Sequence, residues 1–202
     1  EVHEEVHEEV HEEVHEEVQE QPTGPGGRVC VEIRSRSGAS TKGVRVEAGV
    51  DIYNLVCHHI ESVPLISKDV PPNVHLLIDE AQFLSDTNIL RIGEICWVLG
   101  VPVSCFGLRT DYLGVPFERA AQLLARADRI VEIESFCTEK DCFQPARMTI
   151  RLALDENGKA TSLVTDSSVP RIVGSSSDPR SGIAYRSVCP YHHYRLRTPW
   201  QR

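Results

Sequence analysis

Two nearly continuous apolar runs, at residues 74–78 (VHLLI) and 101–108 (VPVSCFGL), constrain the fold most. Strands covered on both faces have this composition, and such strands are typical of parallel sheets. Between them, residues 86–99 carry apolar side chains at helical spacing, and Gly100 predicts the end of that helix. The alternation extends to both sides in a strand, a helix and a strand, at residues 28–33, 116–127 and 129–134. The pattern predicts an α/β fold with a parallel sheet.

The pattern changes after Phe136. Residues 148–154 and 159–164 alternate between polar and apolar side chains around residues 155–158 (DENG), which is a hairpin turn signal. Residues 165–181, rich in Ser, Pro and Gly, are predicted as a long loop. We therefore expect a low-complexity repeat, a linker, an α/β core and a small β module, at residues 1–20, 21–27, 28–135 and 136–202.

The formal net charge of −9 is unevenly distributed over the 202 residues. Residues 1–20 contain ten Glu and no Lys or Arg, so the other 182 residues sum to +1. A nearly neutral body predicts no nucleic-acid partner. No apolar run reaches the roughly 20 residues of a membrane span, so no membrane partner is expected. Seven cysteines, an odd number, favour a reducing cytoplasmic setting over a disulfide framework.

Residues 1–18 repeat a four-residue Glu-Val-His-Glu unit. A helix would place the repeated histidines at i, i+4 spacing, which allows weak binding of a divalent metal ion. The Glu side chains repel one another at neutral pH, however. A solvated tail without an assigned role is the favoured interpretation.

The first apolar run continues into the octapeptide LLIDEAQF, residues 76–83. An apolar strand that ends in Asp79 and Glu80 places two carboxylates at the carboxyl edge of a parallel sheet, where ligands of open α/β folds bind. In nucleotide-binding proteins such an Asp holds Mg²⁺, and the adjacent Glu can act as a general base. The alternative is an exposed strand end with two incidental acids.

Two pairs of potential metal ligands flank the predicted hairpin. Cys137 and Cys142 precede it, and Cys189 and His192 follow it. Three thiolates and one imidazole suit a closed, tetrahedral structural zinc site. His193 competes with His192 as the fourth ligand, and unpaired surface thiols are the alternative. A third segment, FGLRTDYLGVPF at residues 106–117, places aromatic side chains around a turn, either as a wall for a flat base or as core.

Taken together, LLIDEAQF, the GLRTD segment, the Cys pairs and the ending YRSVCPYHHY resemble the zinc-containing, Mg-ATP-dependent thymidine kinase family, its bacterial branch most closely. The resemblance covers about residues 74–194. It implies a parallel-sheet core like that of the phosphate-loop kinases, N-terminally incomplete, with a small zinc-binding β module. It also implies ATP-dependent phosphoryl transfer to the 5′-hydroxyl of thymidine, with Mg²⁺ and structural Zn²⁺ as cofactors. A homo-oligomer, a tetramer in this family, is expected.

The resemblance also implies roles for individual residues. Glu80 would be the catalytic base, and Asp79, Glu80, Ala81 and Gln82 would line the nucleotide site. Residues that would enclose the thymine ring are Phe83, Leu108, Tyr112, Phe117, Met148, Thr149 and Tyr185, with Ile172, Val173 and Gly174 of a closing lasso loop at residues 165–186. Zinc would be held by Cys137, Cys142, Cys189 and His192. The gap between the first two cysteines is longer than is usual in the family.

The family's glycine-rich phosphate loop, G-x-x-x-x-G-K-[ST], does not occur in these 202 residues. In that loop, backbone amides and a Lys neutralise the β- and γ-phosphates. A family Asp-x-Arg element is also altered: Arg36 matches its Arg, but the two positions before it hold Arg34 and Ser35. We therefore predict that the polypeptide is a poor kinase or an inactive one, with a rate reduced on the order of 10³-fold or more. A nucleoside-binding pseudo-enzyme or partner subunit is the alternative.

Overall fold

The computed structural model describes residues 21–22, 29–34, 40–47, 49–62, 74–165 and 182–197, with only the backbone described before residue 40. The chain divides into two compact units, residues 1–45 and residues 46–202. The predicted low-complexity repeat and most of the predicted lasso loop, including Ile172, Val173 and Gly174, lie outside the described residues. The predicted boundary between residues 135 and 136 stays a prediction.

The first unit contains a three-stranded antiparallel sheet. Its strands are β1 (Gln21–Pro22), β2 (Val29–Arg34) and β3 (Ser40–Val44), in the order β1-β2-β3. The strand predicted at residues 28–33 is confirmed as β2, but its partners are antiparallel. Its expected place in the parallel sheet is therefore wrong. The alternation of polar and apolar residues does not specify which neighbouring strand a strand pairs with. Strand β3 was not predicted, because its residues, STKGV, are mostly polar.

The second unit contains four helices and two sheets among its described residues. In chain order they are α1 (Ile52–Ser62), β4 (Leu76–Ile78), a 3₁₀ turn (Ala81–Phe83), α2 (Asp86–Trp97), β5 (Val103–Cys105), α3 (Glu118–Arg126), β6 (Met148–Leu154), β7 (Ala160–Leu163), β8 (Ile183–Val188) and α4 (Pro190–Arg197). None of these helices is long and apolar enough to cross a membrane.

Strands β4 and β5 form the predicted parallel pair, with Ile78 opposite Cys105 at its carboxyl edge. Helix α2 connects them, as predicted. Ser85 caps its first turn by accepting a hydrogen bond from the Asn88 N–H at 3.2 Å. Gly100 follows the helix with a positive φ of 67°, a conformation that glycine adopts without strain. A buried core lies between the strands and helices α1 and α2, made of Ile52, Val56, Ile78, Ala81, Ile95 and Val101.

The strand predicted at residues 129–134 is wrong. These residues are in neither a helix nor a strand, and Ile130, Val131 and Ile133 are 63%, 66% and 73% exposed. β-branched side chains favour an extended backbone, but a strand also needs a neighbour to pair with. Among the described residues, the parallel sheet consists of β4 and β5 alone.

The predicted hairpin is confirmed. Strands β6 and β7 are antiparallel, and β8 pairs with the other edge of β6, giving the order β7-β6-β8. The turn is closed by Asp155, whose Oδ1 accepts hydrogen bonds from the N–H groups of Asn157 and Lys159, both at 2.9 Å. The β8 strand leads directly into α4, so Val188 and Cys189 bring the end of this sheet to the second ligand pair.

Candidate active site and metal centre

The Asp-Glu pair lies directly after β4. Glu80 has the left-handed backbone angles φ 50° and ψ 38°, which are uncommon for a residue with a long side chain. Such strain of about 1–3 kcal/mol persists only where surrounding contacts fix the backbone, and it is frequent at functional sites. Here the next residue supplies a contact, because the Ala81 N–H donates to the Phe106 carbonyl at 2.8 Å. Both carboxylates are exposed.

Gln82 connects the acidic pair to the neighbouring segment. Its side chain is buried, and its Oε1 accepts a hydrogen bond from the Leu108 N–H at 3.1 Å. Because that N–H can only donate, the amide nitrogen of Gln82 faces the other way, and it donates to Glu80 Oε2 at 2.5 Å. The Glu80 carboxylate is thereby attached to the segment at residues 106–117.

The structure brings together several of the aromatic residues predicted to enclose a base. The rings of Phe83 and Phe117 meet edge to face, with centroids 5.5 Å apart. Tyr112 and Tyr185 both lie against the guanidinium of Arg151, at 5.3 and 5.8 Å from their ring centroids. Leu108, whose N–H donates the hydrogen bond to Gln82, is 49% exposed. Met148 and Thr149 are half-buried at the start of β6.

Arg151 is a residue of this region that the sequence did not reveal. It is fully buried on β6, next to the buried Ile150, so both faces of the strand are covered at this point. A buried guanidinium is stabilised when it lies over aromatic rings. Burial raises the pKa of Tyr185 more than the nearby Arg151 lowers it, so the Tyr185 hydroxyl stays protonated at neutral pH. An Arg inside an apolar strand was the available signal.

The four predicted metal ligands converge. The Sγ atoms of Cys137, Cys142 and Cys189 and a ring nitrogen of His192 all lie within 4.8 Å of one another. His192 Nδ1 is 3.4 Å from Cys137 Sγ and 3.3 Å from Cys189 Sγ, and the Sγ atoms of Cys142 and Cys189 are 3.9 Å apart. A tetrahedral zinc ion with bonds of about 2.3 Å to sulfur and 2.0 Å to nitrogen separates its ligands by about 3.5–3.8 Å. The cluster could hold a structural metal ion and is consistent with zinc.

The long gap between the first two cysteines folds into a turn. Asp141 takes a left-handed φ of 59°, and the Cys142 N–H donates to the Glu139 carbonyl at 3.1 Å. This turn returns Cys142 to the cluster despite the additional residues. Burial opposes ionisation of Cys137, but hydrogen bonds, chiefly from the Cys189 and Glu139 N–H groups, outweigh it and lower the pKa of its thiol to about 7. A thiolate suited to metal binding is therefore available near neutral pH.

The choice between the two neighbouring histidines is also settled by their positions. His192 belongs to the cluster, whereas His193 is buried elsewhere, with its Nε2 3.1 Å from the Tyr112 carbonyl.

The sequence profile of the thymidine kinase family matches residues 40–193, which is well over half of the chain. The chain belongs to the thymidine kinase family. The matched residues lie almost entirely in the second unit. This match confirms the family that the motifs indicated. The mixed α/β fold, with a parallel sheet, an antiparallel sheet and a Cys₃His cluster, is consistent with membership of that family.

Individual relatives agree with this assignment. The chain is similar to the thymidine kinase of Pasteurella multocida, with 31% identity over 162 residues, which cover 80% of this chain and 72% of the relative. For the thymidine kinase of Yersinia pseudotuberculosis the identity is 33% over 165 residues, covering 80% and 76%. For that of Vibrio vulnificus it is 34% over 129 residues, covering 64% and 60%. The chain is thus a thymidine kinase homologue that matches only part of each relative's length.

Proposed function

We propose that the chain binds thymidine and that Glu80 is the general base toward its 5′-hydroxyl in phosphoryl transfer from ATP. The position of Glu80 supports this most. It lies at the carboxyl edge of the parallel pair, with a carboxylate oriented by Gln82. A general base must lie within hydrogen-bonding reach of the proton it accepts, and an exposed, oriented carboxylate is accessible to a bound hydroxyl group.

The thymine ring would be enclosed by the side chains grouped around residues 106–117. Phe83 and Phe117 offer one aromatic wall, and Tyr112 and Tyr185, which both lie against the Arg151 guanidinium, offer another. Flat apolar walls with a few oriented polar groups are typical of sites for aromatic ligands. Leu108, Met148 and Thr149, together with Ile172, Val173 and Gly174, are proposed to complete the enclosure.

Asp79, Glu80, Ala81 and Gln82 are proposed to line the side that faces ATP. Asp79 is exposed and follows β4 directly, and its Oδ1 accepts the Glu80 N–H at 2.9 Å. Carboxylate oxygens are the ligands that Mg²⁺ prefers, so Asp79 would help to hold this ion. Bound Mg²⁺ neutralises phosphate charge during transfer.

Zn²⁺ is proposed as the structural ion of the Cys₃His cluster, held by Cys137, Cys142, Cys189 and His192. Three thiolates and an imidazole form a closed site without an open coordination position, which is typical of structural zinc. The role is therefore to fix the β8–α4 junction against the turn at residues 137–142. Elemental analysis should find one zinc per chain.

A titration with thymidine tests the proposed site directly. Calorimetry should show binding of thymidine and none of adenosine. In the same titration, Glu80→Gln should keep the thymidine Kd within about twofold, because shape and hydrogen bonding to Gln82 persist. In a coupled ATP assay, any turnover of the wild-type chain should fall by about 10²–10⁴-fold in this variant, since only the base is removed. A wild-type chain that fails to bind thymidine would contradict the proposal.

The same assay separates the kinase from the pseudo-enzyme. Without a Gly-Lys-Ser/Thr loop in these 202 residues, the charge on the β- and γ-phosphates has fewer partners, and we expect slow turnover or none. Thymidine binding without turnover would favour the nucleoside-binding pseudo-enzyme or partner subunit. Turnover at an ordinary kinase rate of about 1–100 per second would show that another group neutralises the charge on the phosphates.

A cytoplasmic homo-oligomer, tetrameric as the resemblance implies, completes the proposal. The six cysteines whose state the structure describes are all free, as expected in a reducing compartment. Trp97 and Val98, at the end of α2, are 79% and 72% exposed, and such apolar surface is frequent at subunit contacts. Light scattering of the purified chain measures its mass in solution.

A further inference from the structure

His193 is buried in the second unit without belonging to the metal cluster. It is 1% exposed, and its Nε2 lies 3.1 Å from the Tyr112 carbonyl oxygen. Because a carbonyl only accepts, Nε2 must carry the proton and donate. The other ring nitrogen, Nδ1, has no hydrogen-bond partner among the described residues. The ring is therefore placed by this donated bond, by packing and by the neighbouring Arg197, whose Nη1 lies 3.5 Å from Nε2.

Arg197 repeats this contact one helical turn later. Its Nη1 donates to the carbonyl of Leu113, the residue after Tyr112. Two consecutive carbonyls of the segment at residues 110–116 are thus held by one face of α4. Side chains at i and i+4 lie on the same helix face, so His193 and Arg197 act from the same side.

The segment itself is a compact turn. Asp111 Oδ1 accepts the N–H groups of Leu113 and Val115 at 2.9 and 2.8 Å, and the Gly114 N–H donates to the Asp111 carbonyl at 3.0 Å. These bonds fix the shape of the turn but not its position relative to α4. Contacts from His193 and Arg197 help to set that position.

The packing around Gly114 brings the helix close to the turn. A Cβ atom added at Gly114 would lie 3.3 Å from His193 Cε1 and 3.2 Å from Met148 Cε. The His193 ring therefore lies against the turn backbone and close to one residue proposed to line the thymidine site. Tyr112, whose carbonyl the histidine holds, carries a second such side chain.

The same helix begins at the metal cluster. Cys189 immediately precedes α4, His192 lies in its first turn, and the His193 N–H donates to the Cys189 carbonyl at 3.0 Å. Metal bonds to Cys189 and His192 would fix the start of α4 against Cys137 and Cys142. Without a metal ion, this end of the helix would lose those bonds and keep weaker contacts among the thiols and the imidazole, besides its backbone hydrogen bonds.

We propose that His193 is a positioning residue that couples metal binding in the Cys₃His cluster to thymidine binding, by holding the Tyr112 backbone on the helix that carries His192. The inference rests on the proposed function, since Tyr112 is assigned there to the thymidine site. His193 itself would contact neither zinc nor thymidine.

Three variants at two positions test the hydrogen bond. His193→Phe keeps an aromatic ring but removes the donor, and it should weaken thymidine binding about tenfold, because the buried Tyr112 carbonyl loses this hydrogen bond. His193→Gln restores a donor and should recover the Kd to within about threefold of wild type. Arg197→Ala should also weaken binding, with Arg195→Ala as the control, since Arg195 contacts only Tyr191 in the described structure. Each variant should retain one zinc per chain.

Zinc release tests the coupling itself. Linkage is reciprocal for binding free energies, so thymidine should protect zinc in the wild-type chain against equilibrium competition by a chromophoric chelator. The zinc affinity should rise by the same factor by which zinc raises the affinity for thymidine. In His193→Phe this protection should be lost. Equal protection in both chains, or wild-type thymidine affinity in both His193→Phe and Arg197→Ala, would overturn the inference.

The outcome stays distinct from that of the proposed function. If the wild-type chain binds no thymidine, the proposed function fails. The rates of zinc release without thymidine still test whether His193 links the metal cluster to the Tyr112 turn. His193→Phe should then lose zinc several-fold faster than wild type, because a helix detached from its turn holds His192 less firmly. Identical rates of zinc release from the two chains would contradict this link between the cluster and the turn.

Discussion

At the scale of single residues, Gly107 decides how close the segment at residues 106–117 comes to the acidic pair. A Cβ atom added at this position would lie 2.1 Å from Gln82 Oε1 and 3.3 Å from the Ala81 nitrogen. Gln82 is buried and hydrogen-bonded at both ends of its amide, so it cannot move aside without losing a bond. The absence of a side chain at Gly107 is therefore required for the orientation of Glu80.

Gly107→Ala should displace the Gln82 amide and release the Glu80 carboxylate. We expect a loss of about 1–3 kcal/mol in the free energy of unfolding, the usual cost of a broken buried hydrogen bond. Chemical denaturation measures it, and turnover, where present, should fall as well. Gly93→Ala is the matched control, because nothing lies within 4 Å of its Cβ position and alanine favours the α2 helix. A Gly107→Ala chain as stable as wild type would contradict this reading of the contact.

Arg151 is an example of a residue whose contacts could not be predicted from the sequence. Burial of an unpaired guanidinium is costly, so a fully buried Arg indicates compensating groups. The two tyrosines that lie against it are far away in the chain: Tyr112 is 39 positions before Arg151, and Tyr185 is 34 positions after it. Strand periodicity predicts which face a residue occupies, but not which distant aromatic rings will meet it.

At the scale of elements, Asn88 joins helices α1 and α2. Its Oδ1 accepts the Ile52 N–H at 3.2 Å, and its Nδ2 donates to the Val50 carbonyl at 2.9 Å. The first turn of α1 thereby obtains a partner for one of the N–H groups that a helix start leaves unsatisfied. Nearby, Arg91 pairs with Asp51 at 3.1 Å.

Asn88→Ala should therefore destabilise the chain more than the loss of the adjacent cap. We expect a decrease of about 2–3 kcal/mol in the free energy of unfolding, because two buried groups lose their partners. Ser85→Ala should cost about 1 kcal/mol, the usual value for an N-cap. Urea denaturation compares the two, and the reverse order would show that the link between α1 and α2 matters less than the cap.

The elements also show where sequence reasoning succeeds. Helix α2, helix α3 and the β6–β7 hairpin could be predicted, because their periodicity and turn residues act locally. Helix α1 was not predicted, although its buried face is formed by Ile52 and Val56. The segment at residues 129–134 was predicted as a strand from composition alone, but pairing depends on a neighbour that local sequence does not specify.

At the scale of the whole molecule, the candidate site was more predictable than the fold. The metal ligands and the acidic pair lie in short motifs whose chemistry limits their use, so the convergence of Cys137, Cys142, Cys189 and His192 followed from residue type and spacing. The link between the cluster and the Tyr112 turn could not be predicted in this way. It depends on the packing of α4 against a distant segment of the chain, since His193 and Tyr112 are 81 positions apart.

Metal removal should therefore affect more than the cluster. The β7-β6-β8 sheet has a small buried core, formed by Cys137, Ile150, Val188 and Cys189, and two of these four residues belong to the Cys₃His cluster. A chelator should lower the Tm of the chain by more than about 10 °C, since structural zinc contributes several kcal/mol and 1 kcal/mol shifts Tm by about 2–4 °C at this size. Cys142→Ser should bind no zinc and melt like the chelated protein. Cys57→Ser, in α1 away from the cluster, should keep its zinc and a nearly unchanged Tm. Calorimetric scans with elemental analysis measure both quantities, and a metal-free chain that melts at the wild-type temperature would show that the cluster does not stabilise the sheet.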